Sequence, residues 1–513
     1  MSSRISFTLG RDSLTPQLLI ALGKNHNPEL LLHPQDLERL ECFRATVESI
    51  IAAEQTVYGI NTGFGFLAQR KIPPEQLCQL QVNLIRSHAC GVGAPLPAPL
   101  CRSLLILRAH TFLRGHSGVS RGCVDKILEF IRHDILPFVP EQGSVGASGD
   151  LAPLAHLALG LLGEGELIYR GERQASATAL KQAKVSPYVP QAKEGLSLIN
   201  GTLYMATVGS LGVQQAEILA KTADIAAALS LSAIRGSKVP FDERISAIRP
   251  QRGQGVSAAN LRLLLAGEDT IMQSHQDCDR VQDPYSFRCV PQVHGTSRDA
   301  LWFVEDKITI ELNGISDNPL VMENGEILSG GNFHGQPIAM PLDFLAIAMA
   351  ELGSISERRS EKMTNPTFSG LPAFVIADSG LNSGFMIPHV VAAALVSENK
   401  IYCHPASIDS IPTSAEKEDH VSMGPIAAHK LLKVNKNLAT ILAIELIIAA
   451  QGLDLLLPLR PAPALLRVYD RIRSIVPFMA KDRSLHGEIE KMAALVLAGE
   501  LLTPLTQEGI FLH

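Results

Sequence analysis

The chain has 513 residues, of which 46% are hydrophobic and 19% are charged, a composition too apolar for a disordered protein. Its 45 Lys and Arg against 51 Asp and Glu give a net charge of −6, which excludes the basic surface typical of proteins that bind nucleic acid or anionic lipid. We therefore expect a folded protein that acts on a small, roughly neutral substrate.

Short strands and one amphipathic helix are predicted in the first part of the chain. Strand-like segments lie at residues 5–9, 57–60 and, further on, 166–169, which are too few for a large sheet. Apolar residues over 37–50 step by three and four after Pro34, and this spacing predicts a helix. This part of the chain is expected to mix helix and strand.

Long helices are predicted over most of the remaining chain. Apolar residues recur with helical spacing over 301–312, where Asn313-Gly314 supplies a stop signal. Four longer stretches show the same pattern: 207–234, 342–363, 385–401 and 426–457. Because long helices with wide apolar faces pack as bundles, the predicted fold class is mainly α. We expect a long central helical bundle with a smaller mixed N-terminal part that carries the catalytic loop.

Changes in composition suggest where these two parts meet. Residues 91–99 are rich in Gly and Pro, and residues 114–122 are rich in Gly. We place the boundary at the second stretch, which gives a mixed N-terminal part over 1–115 and a helical body over 116–513. No internal repeat or Gly/Ser linker marks a further division.

Other features point to a cytoplasmic protein without a metal. Residues 1–9 lack the apolar stretch of a secretory signal, and the eight cysteines contain no Cys-x-x-Cys pair, so we expect reduced thiols. The most apolar long run, 438–459, includes Glu445, which favours a buried helix over a membrane span. No metal-ligand spacing such as His-Glu-x-x-His occurs, so no metal site is predicted.

Two glycine-rich segments have the composition of loops that build sites. The Tyr58 loop, residues 57–65, contains three glycines, and its alternative interpretation is a turn with a packed tyrosine. Residues 143–154 read Gly-Ser-Val-Gly-Ala-Ser-Gly-Asp-Leu-Ala-Pro-Leu. This segment is not a Walker loop, because no Gly-Lys-Ser/Thr follows, and it is not a nucleophile elbow, because Asp150 replaces the last glycine of Gly-x-Ser-x-Gly.

The tripeptide Ala147-Ser148-Gly149 can form an electrophile. The unhindered Gly149 amide can approach the Ala147 carbonyl, and Ser148 can lose its hydroxyl as water, which yields a conjugated ring. The apolar helix predicted from Leu151 points its positive N-terminal end at the tripeptide. The alternative is an ordinary helix start with Ser148 or Asp150 as the N-cap.

Two further segments carry charged residues suited to binding a substrate. Tyr285 and Arg288 lie three apart and can share a helical face. Arg288 can hold a carboxylate in a bidentate fork, or it can be a surface or structural ion-pair residue. Glu418, in the acidic segment 414–423, can face a cationic or hydrogen-bonding substrate, or it can belong to a solvated helix start.

Together these segments resemble the histidine ammonia-lyase family, within the wider group of aromatic amino acid ammonia-lyases and aminomutases. The most specific match is Gly-Ala-Ser-Gly-Asp-Leu-Ala-Pro-Leu at 146–154. Supporting motifs lie at 58–65, 87–93, 200–202, 282–288, 317–320, 331–335 and 418–423. The resemblance therefore covers most of the chain.

The resemblance implies a reaction and a role for each residue. In this family the tripeptide becomes the prosthetic group 4-methylidene-imidazol-5-one (MIO) without an external cofactor, and L-histidine loses ammonia to give trans-urocanate. Acid–base catalysis alone contributes only about 10²–10⁴-fold, so an electrophile that activates the amine is needed. The implied roles are Tyr58 as the β-proton base, Arg288 and Asn200 at the substrate carboxylate, Tyr285 and Gln282 near the MIO, Phe333 in shaping the pocket, and His88, Glu418 and Met386 around the imidazole.

The implied substrate depends on Ser87-His88 and Glu418. Family members that act on tyrosine or phenylalanine have an apolar residue in the pair that here reads Ser87-His88. A carboxylate such as that of Glu418 also pairs better with an imidazole than with a phenyl ring. Tyrosine or phenylalanine ammonia-lyase, an MIO-dependent aminomutase and an inactive paralogue remain alternatives. The resemblance also implies a homotetramer whose active sites are built from several chains. Four departures from the family pattern concern substrate tuning and rate: Leu203, Gln336, His389 and Lys417.

Overall fold

The computed structural model describes residues 5–63, 69–276 and 279–513, so Phe64 and Gly65 of the Tyr58 loop and Cys278 lie outside the described residues. The described chain is mainly helical, which confirms the predicted fold class. Its helices are α1 (Pro16–Lys24), α2 (Pro34–Ala52), α3 (Leu77–His88), α4 (Ala98–Phe112), α5 (Arg121–Arg132), α6 (Leu151–Leu161), α7 (Ser176–Ala183), α8 (Glu194–Ile199), α9 (Leu203–Ala233), α10 (Glu243–Ile248), α11 (Arg252–Leu264), α12 (Thr270–Gln273), α13 (Tyr285–Arg288), α14 (Val290–Leu312), α15 (Gln336–Thr364), α16 (Pro366–Ser369), α17 (Met386–Tyr402), α18 (Gly424–Asp454), α19 (Pro463–Arg473), α20 (His486–Ala498) and α21 (Thr503–Gln507).

The strands are short and form small, separate sheets. They are β1 (Ser6–Thr8), β2 (Glu29–Leu31), β3 (Val92–Pro95), β4 (Ile135–Pro137), β5 (Pro140–Gln142), β6 (Glu166–Tyr169), β7 (Glu172–Ala175), β8 (Leu320–Val321) and β9 (Ile327–Leu328). β1 pairs in parallel with β2. The other pairs are antiparallel: β3 with β5, the central strand β6 with both β4 and β7, and β8 with β9. The strands predicted at 5–9 and 166–169 are confirmed as β1 and β6.

The strand predicted at residues 57–60 is wrong, because the chain turns there. The backbone amides of Ile60 and Asn61 both donate to the Val57 carbonyl, at 3.2 and 3.3 Å. The Asn61 side chain accepts the Val57 amide in return, at 2.9 Å, which closes the turn. The predicted long helices are confirmed as α9, α15, α17 and α18, with bounds that lie within six residues of the expected ones.

The described chain divides into two compact units. The first unit contains residues up to 211 together with 305–342 and 405–429, and the second unit contains 212–304, 343–404 and 430–513. The boundary that the composition suggests near residue 115 stays a prediction.

The core of the first unit contains α4 and α6. Helix α6 is apolar on nearly every side, while α4 also carries buried polar residues such as Arg108 and His110. Every residue of α4 from Leu100 to Phe112 is buried, and most of α6 is buried as well. A helix that is apolar all round belongs inside a protein. Since α6 begins two residues after Gly149, its burial fixes one end of the segment that carries the candidate chemistry.

The second unit contains the apolar run 438–459, and most of this run is buried within α18, as its composition predicts. Glu445 on this helix is fully buried and forms a bidentate pair with Arg359, at 2.5 and 2.8 Å. Ser230 and Ser356 donate to the same carboxylate, at 2.7 and 2.5 Å. Because a buried charge is tolerated when it is paired and hydrogen-bonded, Glu445 fits inside an otherwise apolar helix.

Among the described helices, α15 is long and apolar enough to cross a membrane by length and composition alone. The core helices of soluble proteins pass the same test, and 67% of its most apolar window is buried. Asp343 on α15 is nearly buried and pairs with Lys430 at 2.6 Å, as in a packed protein interior. The helix is therefore weak evidence for a membrane span.

His110 on α4 predicts how the first unit responds to acid. Its ring is fully buried, and Nδ1 accepts the backbone N–H of Gly10 at 3.0 Å, a role that needs an unprotonated nitrogen. Burial first, and then the positive charge of Arg114, lower the pKa of His110 to about 3. Because the unfolded chain protonates this ring near pH 6.5, the unfolded state binds one more proton below that pH. The free energy of unfolding should therefore fall as the pH drops from about 6.5 towards 3.

The variant His110→Asn tests this prediction, because the amide oxygen keeps an acceptor near Nδ1 and removes the titration. We expect the wild type to lose more stability than His110→Asn between about pH 7 and pH 4, measured by urea unfolding. His133→Asn, at an exposed position, should follow the wild type. Equal pH dependence in the wild type and His110→Asn would contradict the prediction.

Candidate active site

A cavity of about 780 Å³ in the first unit brings together most of the predicted site residues of that unit. We call it the site cavity. Seven of the twelve predicted residues line it: Tyr58, His88, Ala147, Ser148, Asn200, Phe333 and Glu418. Gly149 directly follows the lining residue Ser148, and Phe333 is half-buried in the loop before α15. Segments far apart in sequence therefore meet around the tripeptide.

The tripeptide lies between β5 and α6 in an unusual backbone conformation. Ser148 has φ +51° and Gly149 has φ +80°, the left-handed region that non-glycine residues rarely adopt. A Cβ atom on Gly149 would lie 2.1 Å from the Gly201 carbonyl oxygen, so glycine is required there. The Gly201 amide donates to the Ser148 carbonyl at 3.2 Å, and its carbonyl accepts the Asp150 amide at 2.8 Å. Gly201 thus holds the tripeptide backbone from one side.

Asp150 precedes α6 but does not cap it with its side chain, and Ser148 does not cap it either. The alternative of an ordinary side-chain cap is therefore wrong. The Asp150 carboxylate instead accepts the Met205 amide in the first turn of α9, at 3.0 Å. Burial raises the pKa of Asp150 to about 8, against the opposing effect of this amide. Asp150 thus connects the segment after the tripeptide to α9.

Glu418 lies in a turn before α18, so its interpretation as part of a solvated helix start is wrong. Its Oε2 accepts hydrogen bonds from the hydroxyls of Thr413 and Ser414, at 2.8 and 2.7 Å. Its Oε1 accepts the Ser148 hydroxyl at 3.2 Å. One carboxylate oxygen is therefore held by the loop while the other faces the tripeptide.

The tautomer of His88 follows from its neighbours. Its Nδ1 lies 2.8 Å from the Leu84 carbonyl oxygen, which can only accept, so Nδ1 carries the proton. Nε2 of the neutral ring is then an acceptor. Because His88 lines the site cavity, it can take a hydrogen bond from an N–H group of a ligand.

Asn200 is buried and firmly held. Its Nδ2 donates to the Asn318 carbonyl at 3.0 Å, and its backbone carbonyl accepts the Arg108 guanidinium at 3.1 Å. Arg108 also donates to the Ser197 carbonyl at 2.9 Å, and burial lowers its pKa to about 10. The Asn200 Oδ1 atom has no hydrogen-bond partner within the described ranges. Since buried polar atoms are normally paired, this oxygen is a further acceptor suited to a ligand.

Tyr58 is half-buried at the wall of the site cavity, in the turn that replaces the predicted strand. Gly59 after it has φ +77°, and a Cβ atom there would lie 2.7 Å from Pro319 and 2.8 Å from Leu196. The close packing of Gly59 thus positions Tyr58. The structure describes this loop as far as residue 63, so its last two residues, Phe64 and Gly65, lie outside it.

Four predicted site residues belong to the second unit and are not among the residues that line the site cavity: Gln282, Tyr285, Arg288 and Met386. Tyr285 and Arg288 form the one-turn helix α13, as their spacing predicts, and the guanidinium lies 4.5 Å from the Tyr285 ring centroid. No carboxylate in the described part of the chain lies within ion-pair distance of Arg288, which argues against a structural ion pair. Met386 begins α17 and is 36% exposed, and Gln282 is also exposed.

Comparisons with known proteins identify the family. The model of the aromatic amino acid lyase family matches residues 14–474. The chain belongs to this family. It is 52% identical to the histidine ammonia-lyase of Anaeromyxobacter sp. (strain K), over 92% of this chain and 94% of that protein. It is 48% identical to the histidine ammonia-lyase of Myxococcus xanthus, over 98% of both chains. The resemblance found in the motifs is thus confirmed.

Solved structures agree with this assignment. The crystal structure of histidine ammonia-lyase from Trypanosoma cruzi matches with a TM-score of 0.90 and 44% identity, over 98% of this chain and 95% of that one. Tyrosine aminomutase from Streptomyces globisporus matches with a TM-score of 0.94 and 34% identity, over 99% and 100%. Because the aminomutase fits the fold slightly better while its identity is lower, fold similarity alone does not separate the reactions within the aromatic amino acid lyase family.

In this aromatic amino acid lyase, several further residues line the site cavity that the sequence had not assigned. His334 and His420 stack with ring centroids 5.8 Å apart, and Asn318 lies beside Asn200. All three belong to motifs that carry the family resemblance, so the sequence marks their segments. The motifs do not indicate which residue of each segment faces the cavity.

The four departures from the family pattern occupy different surroundings. Lys417 lines the site cavity beside Glu418. Leu203 is buried at the start of α9, and the Gln336 side chain donates to the Ser407 carbonyl at 3.1 Å. His389, in the second unit, pairs with Glu357 at 2.7 Å. Of the four, Lys417 is therefore the one that lines the site cavity.

The aromatic amino acid lyase was predicted to need no metal. In the described ranges no group of three or more His, Cys, Asp or Glu side chains is arranged to hold a metal ion.

Proposed function

We propose that this carbon–nitrogen lyase is a histidine ammonia-lyase, which converts L-histidine to trans-urocanate and ammonia in histidine degradation. The observation that carries the proposal is the set of acceptors around the tripeptide: the Glu418 carboxylate, His88 Nε2 and the unfilled Asn200 Oδ1. L-Histidine carries donors for such acceptors in its imidazole N–H and its ammonium group.

The acceptors favour histidine over tyrosine and phenylalanine. The phenyl ring of phenylalanine offers no donor to Glu418 or His88, and the phenol of tyrosine offers a single O–H, whereas the imidazolium of histidine offers two N–H groups. Once the Ser148 hydroxyl has been lost, either of the other rings would leave Glu418 Oε1 or His88 Nε2 without a donor. Burying an unpaired charge or polar group costs free energy, and sites built from polar groups reject ligands that leave those groups unpaired. Tyrosine or phenylalanine ammonia-lyase activity and aminomutase activity are therefore weaker alternatives.

The residues Ala147, Ser148 and Gly149 have the groups that are needed to form MIO. Cyclisation joins the Gly149 nitrogen to the Ala147 carbonyl carbon with loss of water, and loss of the Ser148 hydroxyl as water creates the double bond. The left-handed backbone at Ser148 and the absence of a Cβ atom at Gly149 suit this close approach. When formed, MIO supplies the electrophile that makes the amine a better leaving group.

The remaining roles fall to side chains of this chain. Tyr58 takes the β-proton, and Glu418 and His88 hold the imidazole. The Asn200 Oδ1 atom is an acceptor, so it suits the substrate ammonium, while the remaining N–H of the same amide can assist at the carboxylate. Phe333 contributes to the wall of the site cavity.

We propose a cytoplasmic homotetramer in which Gln282, Tyr285, Arg288 and Met386 complete the site of another subunit, as the family resemblance implies. Arg288 would then hold the substrate carboxylate. In support, α17 buries only Ala392 and Asn399 and leaves several apolar side chains exposed, as at protein interfaces. Light scattering of the purified protein should give the mass of four chains, and a monomer would contradict the proposal.

Incubation of the purified protein with L-histidine tests the function. We expect urocanate to accumulate, seen by its near-ultraviolet absorbance. Cinnamate or coumarate from phenylalanine or tyrosine without urocanate would indicate the related ammonia-lyases, and a β-amino acid product would indicate an aminomutase. An inactive paralogue would show no product and the unmodified mass of the chain.

Replacing Glu418 tests the recognition of the imidazole. Glu418→Gln keeps the shape but removes the charge, and hydrogen bonds to charged groups are worth about 1.5–3 kcal/mol. We expect kcat/KM for L-histidine to fall about 10- to 100-fold. Glu416→Gln is the matched control, since Glu416 is exposed on the same loop and does not line the site cavity. Equal kcat/KM in the two variants would contradict the role of Glu418.

A further inference from the structure

The segment that follows His88 contacts the segment that precedes the tripeptide. β3 follows His88 by a few residues, β5 precedes the tripeptide, and the two strands pair with Val92 opposite Gln142. At the end of this pair a Cβ atom on Gly143 would lie 3.2 Å from the Gly91 Cα atom, so the two backbones are in direct contact. A shift of either segment at this point would change the separation of His88 and Ser148.

His156 joins the same contact from α6. Its Nε2 accepts the Gly91 amide at 3.0 Å, over a sequence separation of 65 residues. Its ring also packs on Gly91, because a Cβ atom there would lie 3.5 Å from His156 Cδ2. Since α6 starts two residues after Gly149, one imidazole connects the helix after the tripeptide to the strand after His88.

The chemistry of this bond requires a neutral His156. An imidazole nitrogen accepts a hydrogen bond only when it carries no proton, so Nδ1 holds the proton in this ring. Burial lowers the pKa of His156 below its ordinary value, in keeping with the neutral form. The ring is half-buried and does not line the site cavity, so it does not touch a substrate there.

We propose that His156 is a positioning residue, whose bond to the Gly91 amide sets the separation between the His88 ring and the tripeptide and thereby the affinity for the substrate. The inference rests on the proposed function for its substrate, L-histidine. His88 recognises one end of the substrate and the tripeptide reacts at the other. A wrong separation therefore weakens binding at one of the two ends.

Two variants separate this role from general stability. His156→Leu removes the acceptor and keeps an apolar side chain on the helix, whereas His156→Gln places Oε1 near the position of Nε2 and restores an acceptor. We expect KM for L-histidine to rise about tenfold in His156→Leu with kcat within about threefold of the wild type, and both constants to stay within about twofold in His156→Gln. If His156→Leu does not fold, His156→Ala serves as the variant without an acceptor.

A second measurement does not depend on activity. Hydrogen–deuterium exchange of the peptide that contains Gly91 should be faster in His156→Leu than in the wild type and should return to the wild-type rate in His156→Gln. Unchanged exchange and KM in a folded variant without the acceptor would overturn the inference, as would equal losses in both variants. Absence of urocanate from the wild type would overturn the proposed function, and the exchange experiment would still decide whether His156 holds Gly91.

Discussion

Replacing Ser148 with alanine is expected to abolish urocanate formation and to leave the fold intact. The methyl side chain has no hydroxyl to lose as water, so the conjugated electrophile cannot form, and acid–base catalysis alone supplies only about 10²–10⁴-fold. The structural cost is small, because in the unmodified chain the Ser148 hydroxyl makes one hydrogen bond among the described residues, to Glu418 at 3.2 Å, and the mature wild type has lost this hydroxyl. Thermal unfolding should therefore stay close to that of the wild type.

Two measurements on the same sample check this prediction. Near-ultraviolet absorbance should show urocanate from the wild type and none from Ser148→Ala. Intact mass spectrometry should show that the wild-type chain has lost the water of cyclisation and the water from the serine hydroxyl. Ser49→Ala is the control, since it removes a hydroxyl from an exposed position on α2. Urocanate from Ser148→Ala at the wild-type rate would contradict the MIO assignment.

Replacing Tyr58 with phenylalanine is expected to lower kcat by about 10²–10⁴-fold, the contribution typical of a general base. The aromatic ring and the packing of the turn at Gly59 are kept, so the wall of the site cavity stays in place. The tripeptide should mature as in the wild type, because Tyr58 takes no part in the loss of either water. The expected combination is a fully modified mass with slow turnover.

Steady-state kinetics and intact mass test the role of Tyr58 together. Tyr169→Phe on β6 provides the control, since it removes a phenol hydroxyl from the first unit outside the site cavity. That variant should retain the wild-type kcat. A wild-type kcat in Tyr58→Phe would assign the β-proton to another base, and an unmodified mass would assign Tyr58 a role in maturation.

The helices could be predicted because the spacing of apolar residues along the sequence has the helical period. The stretches 385–401 and 426–457 repeat apolar residues at helical spacing, and α17 and α18 follow within a few residues. The strand predicted at 57–60 failed for the opposite reason. Val57 and Ile60 are residue types common in strands, but the Asn61 side chain and the packing of Gly59 on Pro319 fix a turn. The spacing of apolar residues in the sequence does not reveal these contacts.

The candidate tripeptide could also be predicted from sequence, because its three residues are consecutive and lie in the motif at 146–154 that carries the family resemblance. Asp150 shows the limit of local reasoning. Its position predicts an N-cap of α6, yet its carboxylate binds the Met205 amide, 55 residues away, because the start of α9 lies beside it. Arg108 with Asn200 and His156 with Gly91 are similar pairs, separated by 92 and 65 residues. Such pairs depend on tertiary packing and leave no local pattern.

The proposed substrate can be tested with the ratio of kcat/KM values for L-histidine, L-tyrosine and L-phenylalanine, followed as urocanate, coumarate and cinnamate. The acceptors Glu418 and His88 predict that L-histidine is preferred by at least about 100-fold, since a site discriminates strongly against a ligand that leaves its polar groups unpaired. A higher kcat/KM for tyrosine or phenylalanine would contradict the proposed substrate and the role given to these two residues.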